Sequence, residues 1–213
     1  MAVKDFAGEF DSHLTVVSTS MAGGEVRIRR WAERHRVKYT RIVLDRGATS
    51  DQPMVTVRGH GDLSAQREAA LTWIERLCAE GFGVARVKIE AGPWNEDVPR
   101  TSAEAQALPP GCYFEHHVKL ALADETEVEV VRALAERHTA HVSRNARRDL
   151  GGRGHERFVT QRCRGVGRTE ARRRLDALAT AGFKAAEVEE EFVVHDDRPT
   201  LDSGWIDERT YVR

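Results

Sequence analysis

Cysteine is scarce in this chain: Cys78, Cys112 and Cys163 are the three among 213 residues, and none stands in a CxxC spacing. That excludes a disulfide framework and a cysteine-based zinc site. Long apolar runs are absent too, and nothing approaches the roughly 20 residues that span a bilayer. The opening Met1-Ala-Val-Lys-Asp-Phe lacks the apolar core of a signal peptide, so a cytoplasmic protein is expected. Charge of one sign is missing as well. With 33 basic against 34 acidic residues, bulk charge favours neither nucleic acid nor an anionic membrane. Aromatics are few (7%) and the mean hydropathy is −0.52, yet apolar residues recur periodically, which excludes disorder. There is no Gly-Lys-Ser/Thr loop and no Gly-x-Ser-x-Gly elbow, which removes Walker-type and serine-nucleophile chemistry.

What is present is one unit written twice. Phe10-Asp-Ser-His-Leu-Thr-Val16 aligns with Phe114-Glu-His-His-Val-Lys-Leu120 at an offset of about 104. Trp31-Ala-Glu-Arg-His35 then matches Leu134-Ala-Glu-Arg-His138, and Val55-Thr-Val-Arg58 matches Val159-Thr-Gln-Arg162. Leu77-Cys-Ala-Glu-Gly-Phe82 finally matches Leu178-Ala-Thr-Ala-Gly-Phe183. Four matches in the same order mark an internal duplication.

Each copy reads strand, helix, strand, strand, helix, strand. Apolar and polar residues alternate from Glu9 to Ser18, the signature of a half-buried strand. A helix is predicted from Gly24 to His35, and its counterpart carries Val128, Val131, Leu134 and Ala135 on one face. Val37 to Leu44 and Met54 to Arg58 are the middle strands; Val84 to Glu90 and Ala185 to Val194 are the last. Gly81 and Gly182 stand where a helix C-terminus needs positive φ. The order βαββαβ predicts an α+β protein of two tandem ferredoxin-like lobes with antiparallel sheets. The expected boundaries are a first lobe over 1–92, a linker over 93–111, a second lobe over 112–197 and a tail over 198–213. Trp205 and Ile206 of the tail are expected to dock on a lobe.

Alternation along the strands also assigns the sheet faces. Asp11, His13 and Thr15 fall on the face away from the helices, with Met54, Thr56, Arg58, Arg86, Lys88 and Glu90. Thr40 joins them if Tyr39 packs inward. The second copy supplies Glu115, His117, Lys119, Phe158, Thr160, Arg162, Glu189, Glu191, His141 and Ser143. In the ferredoxin-like strand order His13 lies beside Thr56 and Arg58, and His117 beside Thr160 and Arg162. Two such faces in one chain are expected to form a shared cleft between the lobes. Its acid–base candidates are His13 and His117. Its binding candidates are Thr15, Arg58, Lys88, Lys119, Ser143 and Arg162, chosen because Arg and Lys recognise phosphate or carboxylate.

Ser12-His-Leu-Thr-Val16 has the form small-His-x-Thr-apolar. It resembles the motif of the two-histidine phosphoesterase superfamily, bilobal proteins with one His-x-Thr/Ser strand per lobe. The resemblance implies acid–base roles for His13 and His117 and a phosphate-binding role for Thr15. Lys119 departs from the motif, standing where the second hydroxyl belongs.

The leading expectation is binding of a small phosphorylated or anionic ligand, with its hydrolysis as the catalytic form. The alternative is a non-catalytic RNA- or protein-binding module built on the arginine-rich hairpin 144–157. Nucleic acid is disfavoured by the balanced charge and by the acid run Glu187 to Glu191. For metal, Asp11, His13, Glu115, His116 and His117 supply nitrogen and oxygen donors, but no helical His-x-x-x-His pair exists and His116 should point inward. No metal or other cofactor is expected. Glycines in Gly59-His-Gly-Asp-Leu-Ser64 and Arg164-Gly-Val-Gly-Arg-Thr169 precede helices, where Ser64 and Thr169 are candidate N-caps.

Overall fold

The computed structural model describes residues 4–17, 23–146, 154–180 and 182–205. The chain forms β1 (Gly8–Val17), α1 (Gly24–His35), β2 (Lys38–Leu44), β3 (Asp51–Gly61), α2 (Leu63–Ala79) and β4 (Gly83–Ala91). A five-residue helix, α3 (Ser102–Gln106), interrupts the linker. The second copy gives β5 (Tyr113–Leu122), α4 (Glu125–Arg137), β6 (Ala140–Asn145), β7 (His155–Arg164), α5 (Arg168–Ala179) and β8 (Ala185–Asp196). The fold is α+β, two ferredoxin-like βαββαβ units in tandem, as the duplication predicts.

Local chemistry sets the helix ends. The α2 N-cap is Asp62, whose carboxylate accepts from the Ala65 N–H at 2.7 Å; Asp124 does the same for α4 through Glu127 at 3.0 Å. Ser64 and Thr169 are therefore not the caps, because each already lies inside its helix. Gly81, at φ +81°, turns the chain out of α2 while the Phe82 N–H returns to the Leu77 carbonyl at 3.0 Å. The α4 face buries Val128, Val131, Leu134 and Ala135, the residues its periodicity selects.

The two sheets do not merely face each other across a cleft. They join edge to edge into one closed antiparallel barrel, in the order β1-β3-β2-β6-β7-β5-β8-β4. One seam pairs Ile42–Leu44 with Ser143–Asn145, and the other runs from Lys88 opposite Asp196 to Ala91 opposite Phe192. The physical reason is the edge strand. An open four-stranded sheet leaves two edges with unpaired N–H and C=O groups, and closure gives each of the four edges a partner strand. Register shifts after Thr15 in β1 and after Lys119 in β5, equivalent positions of the two copies, add the local bending that closure requires.

Helices α1, α2, α4 and α5 pack on the outside of this barrel, so the apolar core is an outer layer. Leu14 and Val55 of the sheet are buried against Trp31 and Leu77 of the first helix pair, and Val118 and Val159 against Val128 and Leu175 of the second. At the β4–β8 seam the Phe114 and Phe192 rings pack at 4.7 Å, tilted by 57°, in one cluster with Val87 and Ile89 of one copy and Val194 of the other. Each such side chain contributes about 1.5–3 kcal/mol by leaving water. The tail plugs one end. Trp205 is buried, and its indole N–H donates to the Val142 carbonyl at 3.0 Å. Ile206 lies outside the described residues.

Candidate metal centre inside the barrel

Because the helices take the apolar face of every strand, the polar face turns into the barrel. Asp11, His13, Thr15, Thr40, Met54, Thr56, Arg58, Arg86, Lys88 and Glu90 line a cavity of about 280 Å³. Glu115, His117, Lys119, Ser143, Phe158, Thr160, Arg162, Glu189 and Glu191 line its other half. The alternation rule therefore places these faces correctly. His141 sits at the plugged end, 6.0 Å from the Trp205 ring. His116 points the other way, fully buried on the helix side with Nδ1 3.3 Å from Gln161 Oε1.

The duplication becomes a pseudo-twofold site. His13 pairs with Thr56 across β1–β3, and His117 with Thr160 across β5–β7. In both, the imidazole Nδ1 is 2.9 Å from the threonine Oγ1. Asp11 stands opposite Glu90, and Glu115 opposite Glu191. The threonines turn each ring so that Nε2 faces carboxylates. His13 Nε2 is 2.6 Å from Glu90 Oε2, while His117 Nε2 lies 3.4 Å from Glu115 Oε1 and 3.5 Å from Glu191 Oε2. The ligand atoms of His13, Glu90 and Glu191 all lie within 4.8 Å of one another, and so do those of Glu90, Glu115 and His117.

The protonation states follow from this crowding. Burial opposes a charge on His117, but its hydrogen bonds to Glu115 and Glu191 outweigh that and push it up to about 10. His13 is raised by Glu90 against the same penalty. Burial, then repulsion from Glu90, pushes Glu191 up to about 7. Glu90 and Glu115 move the other way. Burial would raise both, but Lys88 with His13 holds Glu90 well below the carboxylate range, and Arg162 with Lys88 does so for Glu115.

The predicted binding residues are present, but their charges are already matched. Lys88 Nζ lies 2.5 Å from Glu90 Oε1 and 2.6 Å from Glu115 Oε1. Arg162 is fully enclosed between Glu115 Oε2 at 2.5 Å and Asp202 Oδ2 at 2.7 Å. Lys119 meets Glu156 and Glu187, at 3.4 and 3.3 Å. Arg58 projects from the rim, 3.7 Å from Asp11. Thr15 and Ser143 are buried among these groups. Each of Lys88, Lys119 and Arg162 therefore already has carboxylate partners, so none stands as a free anion binder.

Asp202, from the short 3-10 helix Pro199–Asp202, belongs to the site although sequence reasoning leaves it in the tail. It reaches into the barrel to bridge Arg162, Arg86 at 3.0 Å and the Gln52 amide at 3.0 Å. Arg86 is held again by Asp196, at 2.5 Å. Alternation puts Glu90 and Glu191 on the correct face without giving them a role. The rows Asp11–Glu90 and Glu115–Glu191, read off strand register, carry the missing signal.

The arginine-rich hairpin gives no nucleic-acid surface among the described residues. Arg147, Arg148 and Arg153 lie outside them. The others are largely engaged: Arg172 pairs with Asp176 and Glu190, Arg173 and Arg174 with Glu170, and Arg157 with Glu125. The glycine turn before α5 is packed against the linker, where the Arg168 N–H donates to the Pro99 carbonyl at 2.9 Å.

No family model matches this chain, and no curated protein matches it. Solved structures do. A mutant chlorite dismutase from Candidatus Nitrospira defluvii aligns over 92% of this chain and 93% of its own, at 10% identity and TM-score 0.30. A heme-binding protein from Thermus thermophilus aligns over 91% and 94%, at 12% identity and TM-score 0.28. Neither is a two-histidine phosphoesterase. The resemblance carried by Ser12–Val16 is corrected accordingly, and with it the expected phosphate-ligand, hydrolase and RNA-binding functions. The motif's histidines both line the inside of a closed barrel, where each ring is held by a threonine hydroxyl on one side and faces carboxylates on the other.

Proposed function

We propose that this chain is a metal-binding barrel protein holding one divalent transition-metal ion between His13, Glu90, Glu191 and His117. The observation that carries this reading is the pair of threonine-oriented imidazoles whose Nε2 atoms face three glutamates. The Nδ1–Oγ1 contacts leave each Nε2 turned to carboxylates, and a ring that gave up its Nε2 proton while donating from Nδ1 would offer a lone pair to a cation held between them. In the metal-free protein protons and Lys88 supply that cation. Glu115 is the weaker ligand, because Arg162 and Lys88 already hold both its oxygens. Mixed imidazole and carboxylate donors suit zinc, manganese or iron(II). Bound there, the ion would act as a Lewis acid toward a small molecule in the cavity.

Haem, the group named for the Thermus thermophilus protein, does not fit this chain. A macrocycle needs an axial ligand at the edge of a broad apolar slot. The barrel cavity is small and lined by paired charges. The space between the second sheet and its helices is reduced to about 10 Å³ by Val118, Leu120, Val131 and Leu178.

Calorimetric titration of chelator-treated protein with zinc and manganese tests the metal reading. It expects one equivalent per chain, with affinity lowered at least tenfold by His13→Ala and by Glu191→Gln. Absence of uptake by the wild-type chain would overturn it. We also place the protein in the cytoplasm, a reading supported by its three free cysteines. No helix among the described residues is long and apolar enough to cross a membrane.

A further inference from the structure

A second cavity, of about 410 Å³, opens at the barrel rim where the chain leaves β4 for the linker. It shares Asp11, Arg58, Glu90 and Glu191 with the interior, so it borders the site proposed for the ion. Two features distinguish its lining. Trp94 stands on the rim 68% exposed, the most exposed large apolar side chain among the described residues. Its indole folds back over the backbone of Gly92, where a side chain would meet the ring at 3.1 Å. The remaining wall is acidic: Glu9, Asp11 and Glu190 join Glu90 and Glu191, against Arg58 and His60. Arg58 is engaged by Asp11 at 3.7 Å, and Arg172 neutralises Glu190 at 2.6 Å from outside the groove.

An exposed indole beside carboxylates is the surface chemistry that attracts an organic cation. The ring face offers negative quadrupole density, and the exposed Glu9 carboxylate beside it adds a field of the same sign. We infer that the rim groove admits a small organic cation, an amine or quaternary ammonium, whose head rests between Trp94 and Glu9 while its tail points to Glu90 and Glu191. This names the substrate class for the metal site, and its second half rests on that reading. The first half, recognition at the rim, does not require the ion.

Calorimetry with choline and with its uncharged carbon isostere separates the two. Choline should bind the chelator-treated wild-type protein at least fivefold tighter than the isostere. Trp94→Ala and Glu9→Gln, both at the open rim, should each weaken choline several-fold, and Trp94→Phe should restore part of the loss. Equal binding of choline and isostere, no binding of either, or an unchanged affinity in Trp94→Ala would overturn the inference. Choline binding by protein that takes up no metal leaves the rim inference standing and removes the metal reading. Metal uptake without choline selectivity does the reverse.

Discussion

His13 Nε2 lies 2.6 Å from Glu90 Oε2, with the opposite ring nitrogen held by Thr56 at 2.9 Å. A histidine fixed from behind and presented to a buried carboxylate is arranged as a metal-ligating histidine is, with its outer partner in place. Thr56→Val keeps the shape and removes the oxygen. It should weaken zinc or manganese binding by about 10–100-fold, the usual effect of losing an outer partner. Thr160→Val should do the same through His117. Titration of the two variants checks both, and wild-type affinity in either would show that the ring is not positioned by its threonine.

Glu191 gives the sign test. Its carboxyl is pushed up to about 7, so the metal-free fold favours the protonated form. A raised acid lowers folded-state stability progressively as pH rises from its unfolded value, about 4.3, through about 7. At pH 8 the metal-free Glu191→Gln protein should therefore melt above wild type, by about 2–4 °C per kcal/mol recovered. Added metal should raise the wild-type melting temperature and leave the variant nearly unchanged. Thermal melts of both proteins with and without zinc give the four values needed.

Lys88 is the internal competitor for the ion. It sits between Glu90 and Glu115, so Lys88→Met leaves these two buried carboxylates one cation short, with only His13 on Glu90 and Arg162 and His117 on Glu115. The metal-free variant should lose about 3–5 kcal/mol of stability, as broken buried ion pairs do. Its affinity for metal should rise, since one fewer cation shields the glutamates. Denaturant melts and metal titration of the same sample read the two effects in opposite directions.

Acid should act on the ion network at both ends of the cavity. Glu90, Glu115 and Asp202 all titrate below their ordinary values because Lys88, Arg162 and Arg86 outweigh the cost of burial. Their contribution is present above the unfolded carboxylate range of about 3.9–4.3. It is lost as pH falls through the folded values. His117 sets the alkaline side. Raised to about 10, it contributes fully below about 6.5 and loses that contribution as pH rises through its folded value. Melting temperature of metal-free protein against pH should thus fall at both extremes. Asp202→Asn should flatten the acid limb, and His117→Gln the alkaline one.

Much of this architecture is legible in the sequence, and the reason is periodicity. The His-x-Thr and His-x-Lys strands, the Val-Thr-x-Arg strands and the helix faces repeat from one copy to the next. Alternation alone puts His13 and Glu90, or His117 and Glu191, on one surface. Barrel closure is not legible, because it depends on edge pairing between Leu44 and Ser143 and between Ile89 and His195. No local pattern encodes those partners. The charge balance of the site is hidden for a similar reason. Arg162 reads as an anion binder until Asp202, 40 residues on, arrives from the tail. The motif at Ser12–Val16 misleads because four residues fix a strand face, whereas function depends on which carboxylates face it.

The most direct test of the metal centre is anomalous diffraction at the zinc or manganese edge from crystals of metal-loaded protein. The account predicts one strong peak inside the barrel, about 2.0–2.2 Å from His13 Nε2 and from oxygens of Glu90 and Glu191, with His117 completing the site. Crystals with no interior peak at saturating metal, and with His13 Nε2 still 2.6 Å from Glu90 Oε2, would contradict it.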